Sequence, residues 1–408
     1  MYLENYQHLK NKETYLLITF FLFSFFIRIP IIFIFGDPDL EHEWYNLVNN
    51  LHNHGKLSLV NFGDFFVPNL FMPPLYAYYL YFFKIFNLSN EIYIYLVLFS
   101  QVALSSFSVV VFYLINKFFF SSKISIFGTL IFSIFPLHIY ACSQISSAIL
   151  QSFLTVMFIY FFFQILKKNS FFNICFLSLV SGLLMLLRGE FIVLFILSIF
   201  YLTFFFKMNL KSILIILFFT IIVISPYVAR NIMIFDTVTI TKSIGWNLWK
   251  GNNAKASVEG SSAYDANISK RIKNVPKDKY YDINVDNIFL DEALKNIGND
   301  FKKYFILYLK KFLSYIFIDF NSSYPNYYHP LHYLPFLFLG ITSIFGIVTS
   351  NKKSYEINFL ILFFIVNLAI VSSFFVLPRY KLAILPLQII FTNILIVYIK
   401  NFFLKNHE

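Results

Sequence analysis

The chain has 408 residues, of which 58% are hydrophobic, 22% are aromatic and only 13% are charged. A soluble domain cannot bury that much apolar surface, so the composition excludes an ordinary water-soluble protein and indicates a polytopic membrane protein. The net charge of +11 does not indicate nucleic-acid binding, because the basic residues lie in short pairs between apolar runs. Cys142 and Cys175 lie in or beside apolar runs, and predict neither a disulfide framework nor a thiolate metal site.

Ten apolar runs predict membrane-spanning helices, so the expected fold class is an all-α polytopic membrane protein. The first run lacks a small-residue cleavage site after it, and we expect a retained helix and not a signal peptide. The shorter run Leu75 to Phe86 follows two prolines and predicts an interfacial or half-crossing helix. The ten predicted spans are Tyr15 to Phe35, Ile92 to Ile115, Ile124 to Tyr140, Ile145 to Leu166, Phe171 to Leu187, Phe191 to Phe206, Ile213 to Val228, Tyr333 to Val348, Ile357 to Leu377 and Leu382 to Ile399.

Lysines in the short loops predict the orientation of the chain. Lys10 and Lys12 place the N-terminus in the cytoplasm, the later lysine pairs fall on the same side, and both termini are therefore expected to be cytoplasmic. We expect an integral protein of the bacterial inner membrane with three regions. These are an N-terminal transmembrane module (1–228) with its first outer loop at 36–74, an extracytoplasmic region (229–332) and C-terminal transmembrane helices (333–408).

The first outer loop interrupts the apolar sequence with an acidic, amphipathic segment. Asp37 followed by Pro38 predicts a helix N-cap with proline in the first helical position, and Gly55 predicts the end of that helix after His54. Its apolar residues recur at helical spacing, which predicts a helix lying in the membrane interface. These residues are Leu40, Trp44, Leu47, Val48 and Leu51.

Three acids of this segment are candidate catalytic residues. On a helical period Asp39 and Glu43 face water, whereas Glu41 falls at the margin of the apolar face, where we expect it to be partly buried. Partial burial raises the pKa of a carboxylate toward the value that a general base needs near neutral pH. The simpler alternative is that acids in a first helical turn only offset the helix dipole.

Four basic residues at the outer ends of predicted spans depart from the lysine pattern, and they are Arg188, Arg230, Arg379 and Lys381. Basic residues at the mouth of a helix bundle suggest an anion site, and the phosphate of a lipid is the obvious anion in a membrane. Each of them also fits a side chain that extends to lipid headgroups.

The segment Gly245 to Asn253 is rich in glycine, asparagine and tryptophan. Tryptophan faces stack on sugar rings and amides bond to hydroxyl groups, so this composition suits substrate binding. It also suits an ordinary turn at the membrane boundary, where tryptophan is enriched, and both interpretations stay open. The candidate binding residues are Trp246, Asn247, Trp249, Asn252 and Asn253.

Several segments, in this order and spacing, resemble the membrane glycosyltransferases of the GT-C fold, in the branch of the protein O-mannosyltransferases and lipid A aminoarabinose transferases (glycosyltransferase families 39 and 83). The resemblance covers most of the chain. It rests on Arg28, Glu41 with Tyr45, Leu51, Gly55, Pro73-Pro74-Leu75-Tyr76, Arg188-Gly189-Glu190, Pro226, Arg230-Asn231, Gly245-Trp246-Asn247-Leu248-Trp249, Gly251-Asn252-Asn253, Arg379-Tyr380 and Pro386.

The resemblance implies an enzyme that transfers a sugar from a polyprenyl-phosphate donor to an acceptor glycan, lipid or protein outside the cytoplasm, with Tyr45 among the substrate-binding residues. Similar proteins place an essential acid in the first outer loop, commonly within Asp-Glu. The matching position here is Glu41 followed by His42, so Glu41, Glu43 and Asp39 all stay candidates for the base. A divalent cation held by Asp39, Glu43 or His42 also stays open.

We expect an inverting single displacement in which the base takes the acceptor proton while basic residues stabilise the departing lipid phosphate. The main alternative is a transporter or a flippase for lipid-linked sugars without transferase activity, which should carry charges near the middle of the membrane. A non-catalytic scaffold would need none of these acids and arginines.

Overall fold

The protein is largely α-helical in a computed structural model, which describes residues 2–351 and 353–405; the side chains of residues 2–11, 42 and 405 lie outside the described part. A short antiparallel hairpin, β1 (Asn61–Phe62) and β2 (Phe65–Phe66), lies in the first outer loop. The helices are α1 (Tyr2–Phe35), α2 (His42–His54), α3 (Pro74–Lys84), α4 (Asn90–Phe119), α5 (Ser122–Ile134), α6 (Pro136–Tyr140), α7 (Ala148–Lys167), α8 (Phe171–Leu187), α9 (Phe191–Phe204), α10 (Leu210–Phe235), α11 (Ile244–Gly251), α12 (Ala266–Lys273), α13 (Tyr281–Asn299), α14 (Phe301–Ile316), α15 (Pro330–Thr349), α16 (Tyr355–Ser373) and α17 (Leu385–Lys405).

Seven of the described helices are long and apolar enough to cross a membrane, namely α1, α4, α7, α10, α15, α16 and α17. The pair formed by α5 and the segment Pro136–Ser143 provides an eighth span that is bent by 51°. The shorter apolar helices α8 and α9 account for the other two predicted runs. The predicted fold class, an all-α polytopic membrane protein, is confirmed. The chain forms helices because lipid offers no partner for backbone N–H and C=O groups.

The bend in the eighth span has a local cause in the sequence. Pro136 disfavours the helical conformation of the residue before it, and Phe135 is extended, with φ −63° and ψ 121°. The chain then continues through α6 and a 3-10 turn, Ala141–Ser143, to Ile145. We call residues Pro136 to Ile145 the bent segment.

A buried polar network holds the bent segment against α1 and α4. Arg28 is fully buried in α1, and its Nε donates to Ser105 Oγ at 2.9 Å. Its other nitrogens donate to the carbonyl of Ser24 at 2.8 Å and lie 3.2 Å from Nδ1 of His138. Because an unpartnered charge inside a membrane is costly, these contacts tie the bent segment firmly to the bundle.

The segments predicted to lie outside the membrane gather at one end of the bundle, which we call the loop end. Which side of a membrane this end faces stays a prediction. The joining contacts are backbone hydrogen bonds from Asp37 to Ser143, from Lys242 to Leu70 and from Val376 to Val258, together with the stacking of Arg188 on Tyr380. The opposite end is joined by ring contacts from Phe118 to Phe163 and from Phe206 to Tyr355.

Helix α2 differs from its prediction at its first residue. The sequence predicts a helix from Asp37, but the helix begins at His42 and Glu41 occupies the N-cap. The reason is tertiary: the Asp37 carboxylate accepts the N–H of Ile145 at 2.6 Å, so it does not cap a helix. The predicted end is confirmed, because Gly55 adopts the left-handed conformation with φ 65°.

Two aspartates of α13 dock the region between α10 and α15 onto the rest of the loop end. Asp286 accepts the N–H groups of Gly245 and Trp246 at 3.1 and 2.8 Å, which satisfies the first turn of α11. Asp282 accepts the N–H of Leu70 from the first outer loop at 3.2 Å. Helix α13 therefore connects α11 to the first outer loop.

Asp282 should make the stability of this docking depend on pH. Burial raises its pKa from 3.8 to about 6. The charge of Asp286 also raises this pKa, whereas the backbone hydrogen bonds from Leu70 and Phe71 lower it. Between pH 4 and 6 the folded state binds more protons than the unfolded state, so unfolding free energy falls as pH rises, by about 3 kcal/mol. Asp282→Asn keeps an acceptor for Leu70 without the charge, and it should exceed wild type in stability at pH 7 but not at pH 4.

Thermal unfolding in detergent at several pH values measures this difference. Asp291→Asn is the matched control, because Asp291 lies on the same helix with its side chain 70% exposed. A stability difference between Asp282→Asn and wild type that stays constant from pH 4 to pH 7 would contradict the prediction.

Gly251 at the end of α11 tests how closely this helix approaches α16. A Cβ atom added at Gly251 would lie 1.8 Å from the carbonyl oxygen of Phe374, a backbone atom that cannot easily move. We expect Gly251→Ala to lower the unfolding free energy by about 3 kcal/mol, at the upper end of overpacking costs. Gly298→Ala is the control, because its Cβ meets nothing within 4 Å and alanine favours a helix by up to about 1 kcal/mol. Opposite shifts in melting temperature are the expected result, and equal shifts would refute the close approach.

Candidate active site at the loop end of the bundle

Two arginines flank one tyrosine ring at the loop end. Arg188 follows α8, and its guanidinium carbon lies 5.2 Å from the centre of the Tyr380 ring. Arg379 precedes that tyrosine and lies 5.9 Å from the same ring centre. Arg188 Nε also donates to Gln151 Oε1 at 2.9 Å, which fixes the direction of the guanidinium group. The ring and the amide thus orient two cations at the end of a helix bundle.

Lys250 is a third basic residue at the loop end. It is partly buried in α11, and its ammonium lies over the ring of Phe375 at 4.6 Å. Burial lowers the pKa of Lys250, the nearby Glu43 carboxylate raises it, and Arg379 lowers it again. The lysine therefore lies within electrostatic reach of both an acid of the first outer loop and an arginine beside Tyr380.

The three cations keep charge available for a ligand. Within the part of the chain that the structure describes, neither Arg188, Arg379 nor Lys250 lies within 4.0 Å of a carboxylate oxygen. Arginine offers paired N–H donors that match phosphate or carboxylate oxygens, and lysine adds a point charge. We call these three residues the cation group.

The acids Glu41 and Glu43 approach the cation group from the first outer loop. Both side chains are exposed. Tyr324, from the loop between α14 and α15, lies within electrostatic reach of both: burial raises its pKa, Arg379 lowers it, and Glu41 is among the acids that raise it further. Carboxylates and unpaired cations thus lie at the same end of the bundle, around Tyr324 and Tyr380.

Comparison with known proteins identifies the fold. No protein-family model matches the chain, and no curated protein matches its sequence. The structure is similar to the apo form of the Archaeoglobus fulgidus oligosaccharyltransferase, with a TM-score of 0.54 at 11% sequence identity. The chain has the GT-C fold. The likeness covers 95% of this chain and 51% of the oligosaccharyltransferase, so the chain spans about half the length of that protein.

Within this GT-C fold, the four predicted phosphate-binding residues do not converge. Arg188 and Arg379 share Tyr380, but Arg230 donates to the carbonyl of Asn69 at 2.8 Å. Lys381 turns into the bundle, where it donates to the carbonyl of Phe317 and burial lowers its pKa to about 7. The expectation that all four face one site is therefore corrected for Lys381, which is only 1% exposed, whereas the role of Arg230 stays a prediction.

The three predicted acids also differ in their surroundings. Glu41 is exposed and not partly buried as expected, because the helix starts after it and its side chain lies on no apolar face. Asp39 accepts a hydrogen bond from Asn90 Nδ2 at 2.6 Å, at the start of α4. Glu43 is the acid that acts on Lys250. Glu41 and Glu43 thus remain the candidates with a place near the cations.

Most of the predicted sugar-binding residues are used within the protein. Trp249 is only 1% exposed and packs on Phe289, so it presents no open ring face. Asn252 donates to the carbonyl of Ser373 at 3.0 Å, and Asn253 donates to that of Ser261 at 2.6 Å. The expectation that these three contact a sugar is corrected, because their side chains join α11 to its surroundings.

The other predicted binding residues differ in how open they are. Asn247 donates to the carbonyl of Ser243 at 2.8 Å. Trp246 is partly exposed and meets the Phe289 ring edge to face, with ring centres 4.7 Å apart. Tyr45 is 56% exposed. Trp246 and Tyr45 therefore keep ring surface that a substrate can contact.

Metal binding gains no support from the described side chains. They contain no group of three or more histidine, cysteine or acidic residues arranged to hold an ion, and Asp39 and Glu43 make different contacts. The prediction that involves His42 falls on a side chain outside the described part.

Two residues of the loop end were not recognised as site residues in the sequence. Lys250 carries the same signal as the four basic residues singled out, since it lies outside the predicted spans amid tryptophans. Asp37 was interpreted only as a helix cap. Asp37 is partly buried, and this burial raises its pKa. The charge of Glu41 raises the pKa further, whereas the hydrogen bond from Ile145 lowers it. That bond across two loops leaves no local pattern in the sequence.

Proposed function

We propose that the protein is a membrane glycosyltransferase that moves a sugar from a polyprenyl-phosphate donor to an acceptor hydroxyl or amine. The observation that carries the proposal is the cation group without acid partners, placed at the same end of the bundle as Glu41 and Glu43. The GT-C fold, shared with an oligosaccharyltransferase, supports this choice. The predicted orientation places the site at the outer face of the bacterial inner membrane.

The cation group would bind the phosphate of the donor. Arg188 and Arg379 offer paired N–H groups beside the ring of Tyr380, and Lys250 adds a third positive charge. As the bond between the sugar and the phosphate breaks, negative charge grows on the phosphate oxygen, and fixed cations stabilise that state more than the intact donor. The lipid tail would lie among the apolar helices below.

Glu41 is the proposed base, with Glu43 as the alternative. The acceptor oxygen or nitrogen attacks the anomeric carbon, its proton passes to the carboxylate, and the lipid phosphate leaves with the bonding electrons. A single displacement of this kind inverts the anomeric centre. Tyr324, within electrostatic reach of both Glu41 and Arg379, would contact the sugar that lies between base and leaving group.

The alternative of a transporter or flippase fits the charge distribution less well. Such a protein is expected to expose charged groups in a pathway across the membrane. Arg28, the charged residue deep in α1, is instead fully buried and bonded to Ser24, Ser105 and His138. The cation group, Glu41 and Glu43 lie instead at the loop end, where we propose that the transfer takes place.

The test is transfer of a labelled sugar by the purified protein in lipid nanodiscs. Labelled polyprenyl-phosphate sugars are supplied together with extracted envelope fractions that contain candidate protein, lipid and glycan acceptors. The matched control is the same sugar on a nucleoside diphosphate, which lacks the lipid tail. We expect label to reach an acceptor fraction from the lipid donor alone. Recovery of every lipid donor intact would overturn the proposal.

A further inference from the structure

Asp37 joins the first two outer loops through both its backbone and its side chain. Its N–H donates to the carbonyl of Ser143 at 2.9 Å, and its Oδ2 accepts the N–H of Ile145 at 2.6 Å. Both partners belong to the end of the bent segment. The acidic segment therefore leaves α1 in a direction that a neighbouring loop sets.

The bent segment is itself held by buried groups of the bundle. Gln101 is fully buried in α4, and its Nε2 donates to the carbonyls of Cys142 and Gln144 at 3.3 and 3.0 Å. Tyr76 of α3 donates to Gln101 Oε1 at 3.0 Å, which fixes the amide. Together with the contact of Arg28 with His138, these bonds make the bent segment a rigid support at the loop end.

Asp37 and Glu41 lie close to one another and to Tyr76. The Glu41 charge contributes to the raised pKa of Asp37, behind the larger effect of burial. Burial also raises the pKa of Tyr76, with smaller contributions from Asp37 and Glu41. Two further tyrosines lie within electrostatic reach of these acids: Tyr140 of α6 is affected by Asp37, and Tyr324 is affected by Glu41. Arg379 also acts on Tyr324.

We propose that Asp37 is a positioning residue, which sets the place of Glu41 by fastening the start of the acidic segment to the bent segment. Three residues separate the two acids, and they form a bend without a helix, so the fastening substitutes for the missing helical turn. This inference rests on the proposed function, in which Glu41 is the base. Asp37 acts through its hydrogen bonds and not by taking a proton from the acceptor.

The test compares Asp37→Ala with Asp37→Asn. The asparagine oxygen still accepts the N–H of Ile145, whereas alanine leaves that group without its partner. Misplacing a catalytic group by about 1 Å can cost about 10²-fold, so we expect Asp37→Ala to lower kcat about 10- to 100-fold. The KM for the donor should change less than about threefold, because the cation group lies on other elements, and Asp37→Asn should restore most of kcat.

Two further measurements separate positioning from other roles. Asp64→Ala is the matched control, since Asp64 is an exposed acid of the same outer loop, in the turn between β1 and β2, and it should leave kcat within about threefold of wild type. Hydrogen exchange of the peptides that cover residues 36–45 and 143–146 should accelerate in Asp37→Ala and not in Asp37→Asn. This readout does not depend on turnover and also shows whether each variant is folded.

The outcomes are distinct. If Asp37→Asn is as inactive as Asp37→Ala, the charge itself is needed and the positioning role is wrong. An unchanged kcat in Asp37→Ala, or exchange that does not respond, overturns it as well. If wild type transfers no sugar but the exchange pattern follows the prediction, the fastening stands as structure and only the proposed function, with the role of Glu41, fails.

Discussion

Replacing Glu41 by glutamine should lower kcat for sugar transfer about 10²- to 10⁴-fold, the range that general-base catalysis supplies. Glutamine keeps the shape of the side chain but cannot accept the proton of the acceptor. The fold should not change, because the Glu41 side chain is exposed and its contact with α2 is made by the backbone carbonyl, which accepts the N–H of Tyr45 at 2.8 Å. Donor binding should persist, since the cation group is intact.

The measurement is single-turnover transfer from a labelled polyprenyl-phosphate sugar, with donor binding followed separately. Asp39→Asn removes the same charge from the same loop, at a carboxylate that accepts a hydrogen bond from Asn90, and should leave the rate within about threefold. Glu43→Gln decides between the two candidate bases. A full rate in Glu41→Gln, with loss in Glu43→Gln, would transfer the role to the acid that acts on Lys250.

The membrane helices were the most predictable part of the fold. Each of the ten apolar runs lies in or largely overlaps a helix because hydropathy alone decides whether a segment enters lipid, and a segment in lipid must satisfy its own backbone. The start of α2 was not predictable in this way. Asp37-Pro38 has the local pattern of a helix start, yet a hydrogen bond to Ile145, more than 100 residues away, takes the carboxylate. Tertiary contacts of this kind override capping preferences.

The site was predictable in its residue types and not in its geometry. Arg188 and Arg230 give the same signal in the sequence, a basic residue at the outer end of a span. In the structure Arg188 stacks on Tyr380, whereas Arg230 bonds to the carbonyl of Asn69. Which partner each side chain meets depends on how distant segments pack, and a single sequence does not contain that information.

The segment Gly245 to Asn253 shows the same limit of a single sequence, because residues predicted to bind a ligand make structural contacts instead. Its composition suits a sugar site, but Trp249 and Asn252 are buried in contacts that join α11 to α13 and to the end of α16. The residue of this run that the proposed mechanism uses is the lysine between them, Lys250, which lies over the ring of Phe375 and which the composition does not single out. Polar and aromatic residues that hold a site in place look like residues that bind a ligand when only the sequence is read.

Replacing Arg188 by glutamine should lower kcat/KM about 10²- to 10³-fold, as the removal of one fixed donor to a developing oxyanion does in other enzymes. Arg188 lacks an acid partner within 4.0 Å in the described structure, so removing it leaves no carboxylate buried and unpaired. The kcat/KM of Arg188→Lys should lie between those of wild type and Arg188→Gln, because lysine keeps the charge but loses the paired donors and the flat contact with Tyr380. The measurement is kcat/KM with the labelled lipid donor.

Arg271→Gln is the control for the loss of a positive charge outside the bundle. Arg271 lies on α12 and pairs with Asp291 and Glu292 at 3.5 Å, so its replacement should leave kcat/KM within about twofold. An unchanged kcat in Arg188→Gln would separate the cation group from catalysis and leave the arginines as headgroup contacts. A headgroup contact binds donor and product lipid alike, so its loss would alter KM and leave kcat unchanged. The loss of a group that stabilises the leaving phosphate must instead lower kcat itself.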